Sequence, residues 1–184
     1  MPTIIISVED VLLTTDFSKA RPDGRLKLIS HTWGGFGKER FLLRPYALEF
    51  IETVRSRFDN VYAIDDVCGE LLSSRISAAG MTSYFDGILG EEDMALAPYD
   101  PCYDNTLTCA SAREECEVCL IDVAADDSAA KKMRMCGAPV WDLVRKCITH
   151  PDLLEDQTFV IEPFVGDPND SVLLKVSRSF LHTV

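Results

Sequence analysis

The chain has 184 residues, 47% of them hydrophobic, with 18 Lys and Arg against 30 Asp and Glu and a formal charge of -12. Length and apolar content suit one domain, spanning 1–184, and exclude a disordered chain. The acidic balance argues against broad binding to nucleic acid or anionic membrane, because both need a basic footprint.

In chain order, Thr3 to Ser7 reads as a buried parallel strand: short, β-branched and continuous. Residues 14–40 are rich in Gly, Lys and Arg and read as an irregular insertion, with a short hairpin around Leu26 to Thr32. Pro45 suits the first turn of a helix, where a missing N–H costs little. That helix places Leu48, Ile51, Val54 and Phe58 on one face. Val61 to Ile64 is the second core strand, and Glu70 to Ala79 a helix stopped by Gly80. Phe85 to Leu89 is a third short strand and 90–108 a loop.

Val118 to Ile121 is another buried strand, then a helix from Ser128 to Met135 and a short strand from Ala138 to Trp141. The one local basic cluster, Lys131-Lys132-Met133-Arg134, falls in that helix and reads as a solvated face. "TFVIEPF" is a further strand. Ser171 to His182 is a closing helix with Asp170 as its N-cap. Strands alternating with helices predict an α/β fold with a mainly parallel sheet flanked by helices. Ligands of such sheets bind outside the carboxyl ends of the strands. Ser7, Glu9 and Asp10 follow the first strand, Asp65 and Asp66 the second, and Asp122 the strand "VCLI", so these residues are expected to line one pocket.

Several segments resemble those of the haloacid dehalogenase superfamily, and most closely its NLI-interacting-factor-like branch. That branch holds phosphatases of the RNA polymerase II C-terminal domain and the mitochondrial translocase subunit that receives presequences. "IIISVEDVLL" stands where that family has a strand and Asp-x-Asp-x-Thr-Leu. "FLLRPYALEFIETV" is similar to its Arg-Pro-Gly segment, with Tyr46 where Gly is usual. "VYAIDD" stands where a strand ends in Thr or Ser. "CLIDVAADD" resembles the strand ending in Asp-Asp, and "FVGDPNDSVLLKVSRSFL" the closing segment. The resemblance covers nearly the whole chain and implies a Rossmann-like fold with a small or absent cap.

It also implies five chemical requirements. The nucleophilic Asp is replaced by Ser7, whose hydroxyl has no His or Lys nearby in sequence as a base. The general acid is Glu9, one methylene longer. Asp65 replaces the hydroxyl that holds the phosphoryl oxygens, and a carboxylate there repels a phosphate dianion. The charge-neutralising Lys is expected near Thr106, but no Lys lies between Arg75 and Lys131. Of the acidic pair that holds Mg²⁺, Asp122 remains and Val123 replaces its partner, so the pocket would hold Mg²⁺ weakly at best. The expectation is a pseudophosphatase with no catalytic residue and no required cofactor. It would work through protein partners as a scaffold subunit of a larger assembly. Two alternatives stay open: a noncanonical phosphatase or other hydrolase using Ser7 or Asp10, and an acidic module binding a metal or a basic peptide.

Other features weigh less. Trp33 and Phe36 in "WGGFG" are candidate partner anchors, against simple packing over the pocket. The loop lacks the Lys-Ser/Thr of a nucleotide cradle. His31, His150 and His182 are expected to lie far from the motif strands. No apolar run approaches the ~20 residues of a membrane span, and no signal-peptide pattern opens the chain. The seven cysteines then read as free thiols of an intracellular, reducing compartment, cytoplasmic or mitochondrial. "CEVC" (Cys116 to Cys119) lacks the second pair that a zinc site needs.

Overall fold

The computed structural model describes residues 3–18, 20, 24–35, 37–91, 118–123 and 158–182. The expected loop over 90–108 falls outside these from residue 92 on. The helix from Ser128, the strand from Ala138, the 131–134 cluster, Phe36 and His150 also lie outside them.

Among the described residues, strand β1 (Thr3–Ser7) is the middle of a five-stranded sheet. β1 pairs in parallel with β5 (Asn60–Ile64) on one side and with β7 (Val118–Val123) on the other. β6 (Gly87–Leu89) and β8 (Thr158–Ile161) complete the order β6-β5-β1-β7-β8, and every pairing is parallel. Ile4, Ile5 and Ile6 are fully buried although successive side chains point to opposite faces. That explains three consecutive isoleucines: the strand has no solvent face on which a polar residue would be tolerated. The chain thus folds as mixed α/β with a parallel sheet.

The segment between β1 and β5 is more regular than the sequence suggests. β2 (Leu13–Thr14), β3 (Leu28–Thr32) and β4 (Lys38–Leu43) form a small antiparallel sheet in the order β2-β4-β3. The expected hairpin around 26–32 is therefore one strand of a longer hairpin, which turns between Thr32 and Lys38. Gly34, Gly35 and Gly37 all take positive φ, and so they mark the turn between strands. The strands alternate from Leu28 to Thr32 and from Lys38 to Phe41, after which Leu42 and Leu43 are both buried. Ile29 and Phe41 pair and are buried, while Ser30 and Arg40 pair and are exposed.

Helix α1 runs over Ala47–Arg57, not from Pro45. Tyr46 sits before it at φ 65, a left-handed conformation in which its Cβ crowds the following carbonyl. A continuous helix cannot pass through that residue. The buried face is Ala47, Phe50, Ile51 and Val54, with the expected Leu48 and Phe58 only half-buried at its margins. Helix α2 (Gly69–Ala78) ends as expected, with Gly80 at φ 78 donating its N–H to the Ser77 carbonyl. The strands expected over Phe85–Leu89 and Thr158–Phe164 are shorter at one end each. The closing helix, α3 (Val172–His182), packs on α1. Its first turn is capped by Asp170, whose Oδ1 accepts the Val172 N–H at 2.8 Å.

Arg44 locks these parts together. Its guanidinium is buried and all five donors are used. Nε and Nη2 reach Asp170 Oδ2 at 3.1 and 2.9 Å, and Nη2 also reaches the Glu162 carbonyl at 2.9 Å. Nη1 bonds the carbonyls of Asp10 and Val11 at 3.1 and 3.2 Å. The charge lies over the Phe164 ring, 5.6 Å from its centroid. One side chain thus joins the turn after β1, the exit of β8 and the start of α3.

Candidate functional site

The candidate site lies at the carboxyl ends of β1, β5 and β7. Ser7 pairs with Ile64, so Asp65 begins one residue further along the same edge. Ile6 pairs with Ile121, which sets Asp122 level with Ser7 on the other side. The chain order turns back at this point in the sheet: β5 and β6 extend one way from β1, β7 and β8 the other. Open parallel sheets have their crevice at such a reversal.

After β1 the chain makes a tight turn. Val8 N–H continues the ladder to the Ile64 carbonyl at 3.1 Å. Asp10 takes φ 60, donates its N–H to the Leu13 carbonyl at 2.7 Å and accepts the Thr14 hydroxyl on Oδ1 at 2.9 Å. Its carbonyl accepts the Phe164 N–H at 2.7 Å and one Arg44 bond. Asp10 is therefore built into the turn. Asp and Asn are the residues that best tolerate this conformation.

Glu9 is held on both carboxylate oxygens. Oε1 accepts the Thr15 N–H at 2.7 Å and the Thr15 hydroxyl at 3.0 Å, and Oε2 accepts Arg75 Nη1 at 3.3 Å. Burial raises its pKa above the ordinary carboxylate value, and the bonds from Thr15 and the charge of Arg75 only partly offset that. Asp65 is completely buried. Its Oδ2 accepts the Glu9 N–H at 3.0 Å and its Oδ1 the Asp66 N–H at 2.8 Å. Burial, followed by the hydrogen bond with the Asp66 side chain, raises its pKa to about 7. Asp66 itself is exposed. The bend after Ile64 turns Asp65 inward under the Glu9 amide, while Asp66 stays at the surface.

The residue that sequence reasoning missed is Arg75, buried on the last turn of α2. Its Nε and Nη2 grip Glu39 at 2.9 and 2.7 Å in a two-pronged bond, its Nη1 reaches Glu9, and Nη1 stands 3.9 Å from Asp65 Oδ2. Glu39 also accepts a contact from His31 Nε2 at 3.0 Å, and His31 Nδ1 lies 2.8 Å from Ser74 Oγ. His31 touches no motif strand directly, but through Glu39 and Arg75 it is linked to Glu9. The hairpin folds back so that its inner face carries His31 and Glu39 onto α2. Arg75 holds Glu39's pKa below its usual value.

The described network contains one guanidinium and three carboxylates, Glu9, Glu39 and Asp65. One cation does not neutralise three anions, and of these Asp65 alone is shut off from water, so the cheapest remedy is a proton on it. That is the direction in which Asp65 is pushed. The cluster is consequently satisfied from within. Trp33 is half-buried at the hairpin turn, two residues beyond His31. Among the described residues, no three His, Cys, Asp or Glu side chains are grouped so as to hold a metal ion, and no helix is long and apolar enough to cross a membrane. Cys68 is a free thiol.

Comparison with known proteins finds no matching family model and no matching curated protein.

Proposed function

We propose that this chain is a catalytically degenerate member of the haloacid dehalogenase superfamily, of the NLI-interacting-factor-like branch, that acts through protein contacts as a scaffold subunit of a larger assembly. The observation that carries this reading is the state of Asp65. The resemblance puts a phosphate-holding hydroxyl at that position, and here a buried carboxylate accepts the Glu9 and Asp66 amides. Amides that would hold phosphoryl oxygens in an active site are already spent on a side chain. Arg75, the buried cation within reach, is gripped by Glu39 and Glu9. The order β6-β5-β1-β7-β8, with the motif residues at the reversal between β1 and β7, supports the family assignment.

One observation favours a second reading, a noncanonical hydrolase. Glu9 has a raised pKa, as a general acid needs. Against it, Glu9 is tied to Thr15 and Arg75, so delivering a proton to a leaving group would mean breaking that network.

Thermal unfolding with Mg²⁺, alone and with beryllium fluoride or tungstate, separates the two. A phosphoryl mimic that binds only the native state raises Tm. The scaffold reading expects no rise. A clear rise that disappears in Ser7→Ala overturns it and establishes an enzyme.

A further inference from the structure

The fold separates charge in a way that the linear sequence conceals. Residues 14–40 carry six Lys and Arg against three Asp and Glu, a net of +3 in a chain of -12, which leaves -15 for the remainder. The pairing of β3 with β4 sorts these charges by face. Side chains at directly opposed positions share a face of the sheet. Ile29 opposite Phe41 and His31 opposite Glu39 face inward, so the hairpin's acid is consumed by Arg75 and His31. Ser30 opposite Arg40 and Thr32 opposite Lys38 face outward, and all four are exposed.

Leu28, on the same outward face, is 51% exposed. Phe17 is 38% exposed, with the Arg40 guanidinium 6.0 Å from its ring centroid. Lys27, next to Leu28, lines a groove of about 220 Å³ at the root of the hairpin. Arg25, Tyr46, Leu48 and Pro168 line it too, with Glu49 as its acidic member. Exposed Leu, Phe and Tyr interleaved with four exposed cations make an unusual combination on an acidic protein. Each kind of group alone would be ordinary surface.

We propose that the outward face of the β3–β4 hairpin docks an acidic, extended segment of a partner protein. The proposal rests on the scaffold reading above and names the partner's chemistry. Lys38 and Arg40 would pair with its carboxylates, and Leu28 and Phe17 would cover its alternate apolar side chains. An extended chain presents the two sets at a repeat of two, matching the outward positions of the strand. A nucleic acid fits less well. Four scattered cations give little counterion release against a chain of this overall charge. A second copy of this chain is the other acidic occupant available.

The test uses the full chain and a fluorescein-labelled twelve-residue peptide alternating Glu with Leu or Thr, followed by anisotropy in 50 mM and 300 mM salt. Binding is expected at low salt. It should weaken at least fivefold at 300 mM salt and at least fivefold in the double variant K38E/R40E, and be unchanged in K175E, an exposed cation of α3. Lys38 and Arg40 are exposed, so K38E/R40E should unfold at the wild-type temperature, and K38Q/R40Q should fall between the two. No binding, or binding equal in wild type and K38E/R40E, overturns the surface. So does tighter binding of a labelled twelve-nucleotide single strand than of the peptide. A dimer in light scattering that K38E/R40E dissolves makes the occupant a second copy and also overturns it. None of these results touches the phosphoryl-mimic experiment, so the surface and the scaffold reading fail separately.

Discussion

Replacing Arg75 by Met tests the account of the buried network most directly. Met keeps most of the side-chain volume and removes the charge. The substitution deletes three hydrogen bonds, at 2.9 and 2.7 Å to Glu39 and 3.3 Å to Glu9, and the charge 3.9 Å from Asp65. Removing one partner of a buried ion pair costs about 3–5 kcal/mol, because the remaining charges lose their compensation. For a chain of this size each kcal/mol lowers Tm by roughly 2–4 °C, so a loss of about 10 °C is expected. The loss should depend on pH. Without Arg75, Glu9, Glu39 and Asp65 bind protons more readily in the folded state than in the unfolded one. The variant therefore loses stability as pH rises, and its deficit should be larger at pH 7 than at pH 5. Urea unfolding at both pH values measures this. A cost under about 1 kcal/mol at pH 7, or one that does not shrink at pH 5, refutes the claim that Arg75 neutralises this cluster.

The wild type carries a signature of its own. Asp65's folded pKa, about 7, lies above its ordinary value of 3.8, so the folded state binds the extra proton between those values, and Asp65's contribution to stability falls as pH rises from about 4 to 7. Asp65→Asn should flatten that slope in urea titrations run across this range, at a pH-independent cost of about 1–2 kcal/mol for one amide left facing an NH₂ group. Tyr46→Gly should raise Tm by about 2 °C, since an exposed residue at φ 65 gives up about 1 kcal/mol of strain for little lost burial. Arg44→Lys should cost about 2–4 kcal/mol, because an ammonium cannot reach Asp170 and three carbonyls at once. Hydrogen exchange should then speed up in 172–182 more than in β1.

Much of the core could be read from the chain because its signals are local. Three isoleucines in a row announce a strand buried on both faces, and Gly80 announces the end of α2. Asp170 announces a cap, although its second role, gripping Arg44 126 residues away, has no local trace. Strand-end reasoning groups Ser7, Glu9, Asp10, Asp65, Asp66 and Asp122, and the pairing register brings the strand ends that carry them to one edge. Arg75 escaped because "SSRISAAG" reads as an ordinary helix with one solvated charge. Its partners lie 66 and 36 residues away. The hairpin was misread for a related reason. "HTWGGFGKER" shows its glycines but not which strand lies opposite, and only the pairing reveals that Lys38 and Arg40 share a face while Glu39 turns inward. The basic surface on the hairpin arises from that sorting and from no run of basic residues.

The central place of β1 in its sheet has a consequence for how the protein is made. Thr3 finds its first neighbour at Asn60 and its second at Val118. During synthesis the Ile4-Ile5-Ile6 segment must wait, unpaired on both edges, until each of those strands has left the ribosome. Parallel pairing across such separations is slow to close, and an apolar strand left open meanwhile invites pairing with other chains. A holding chaperone, or early shelter of the isoleucines by α1, would shorten that exposure. Slowing translation before residue 118 should lower the soluble yield far more than slowing it after residue 161.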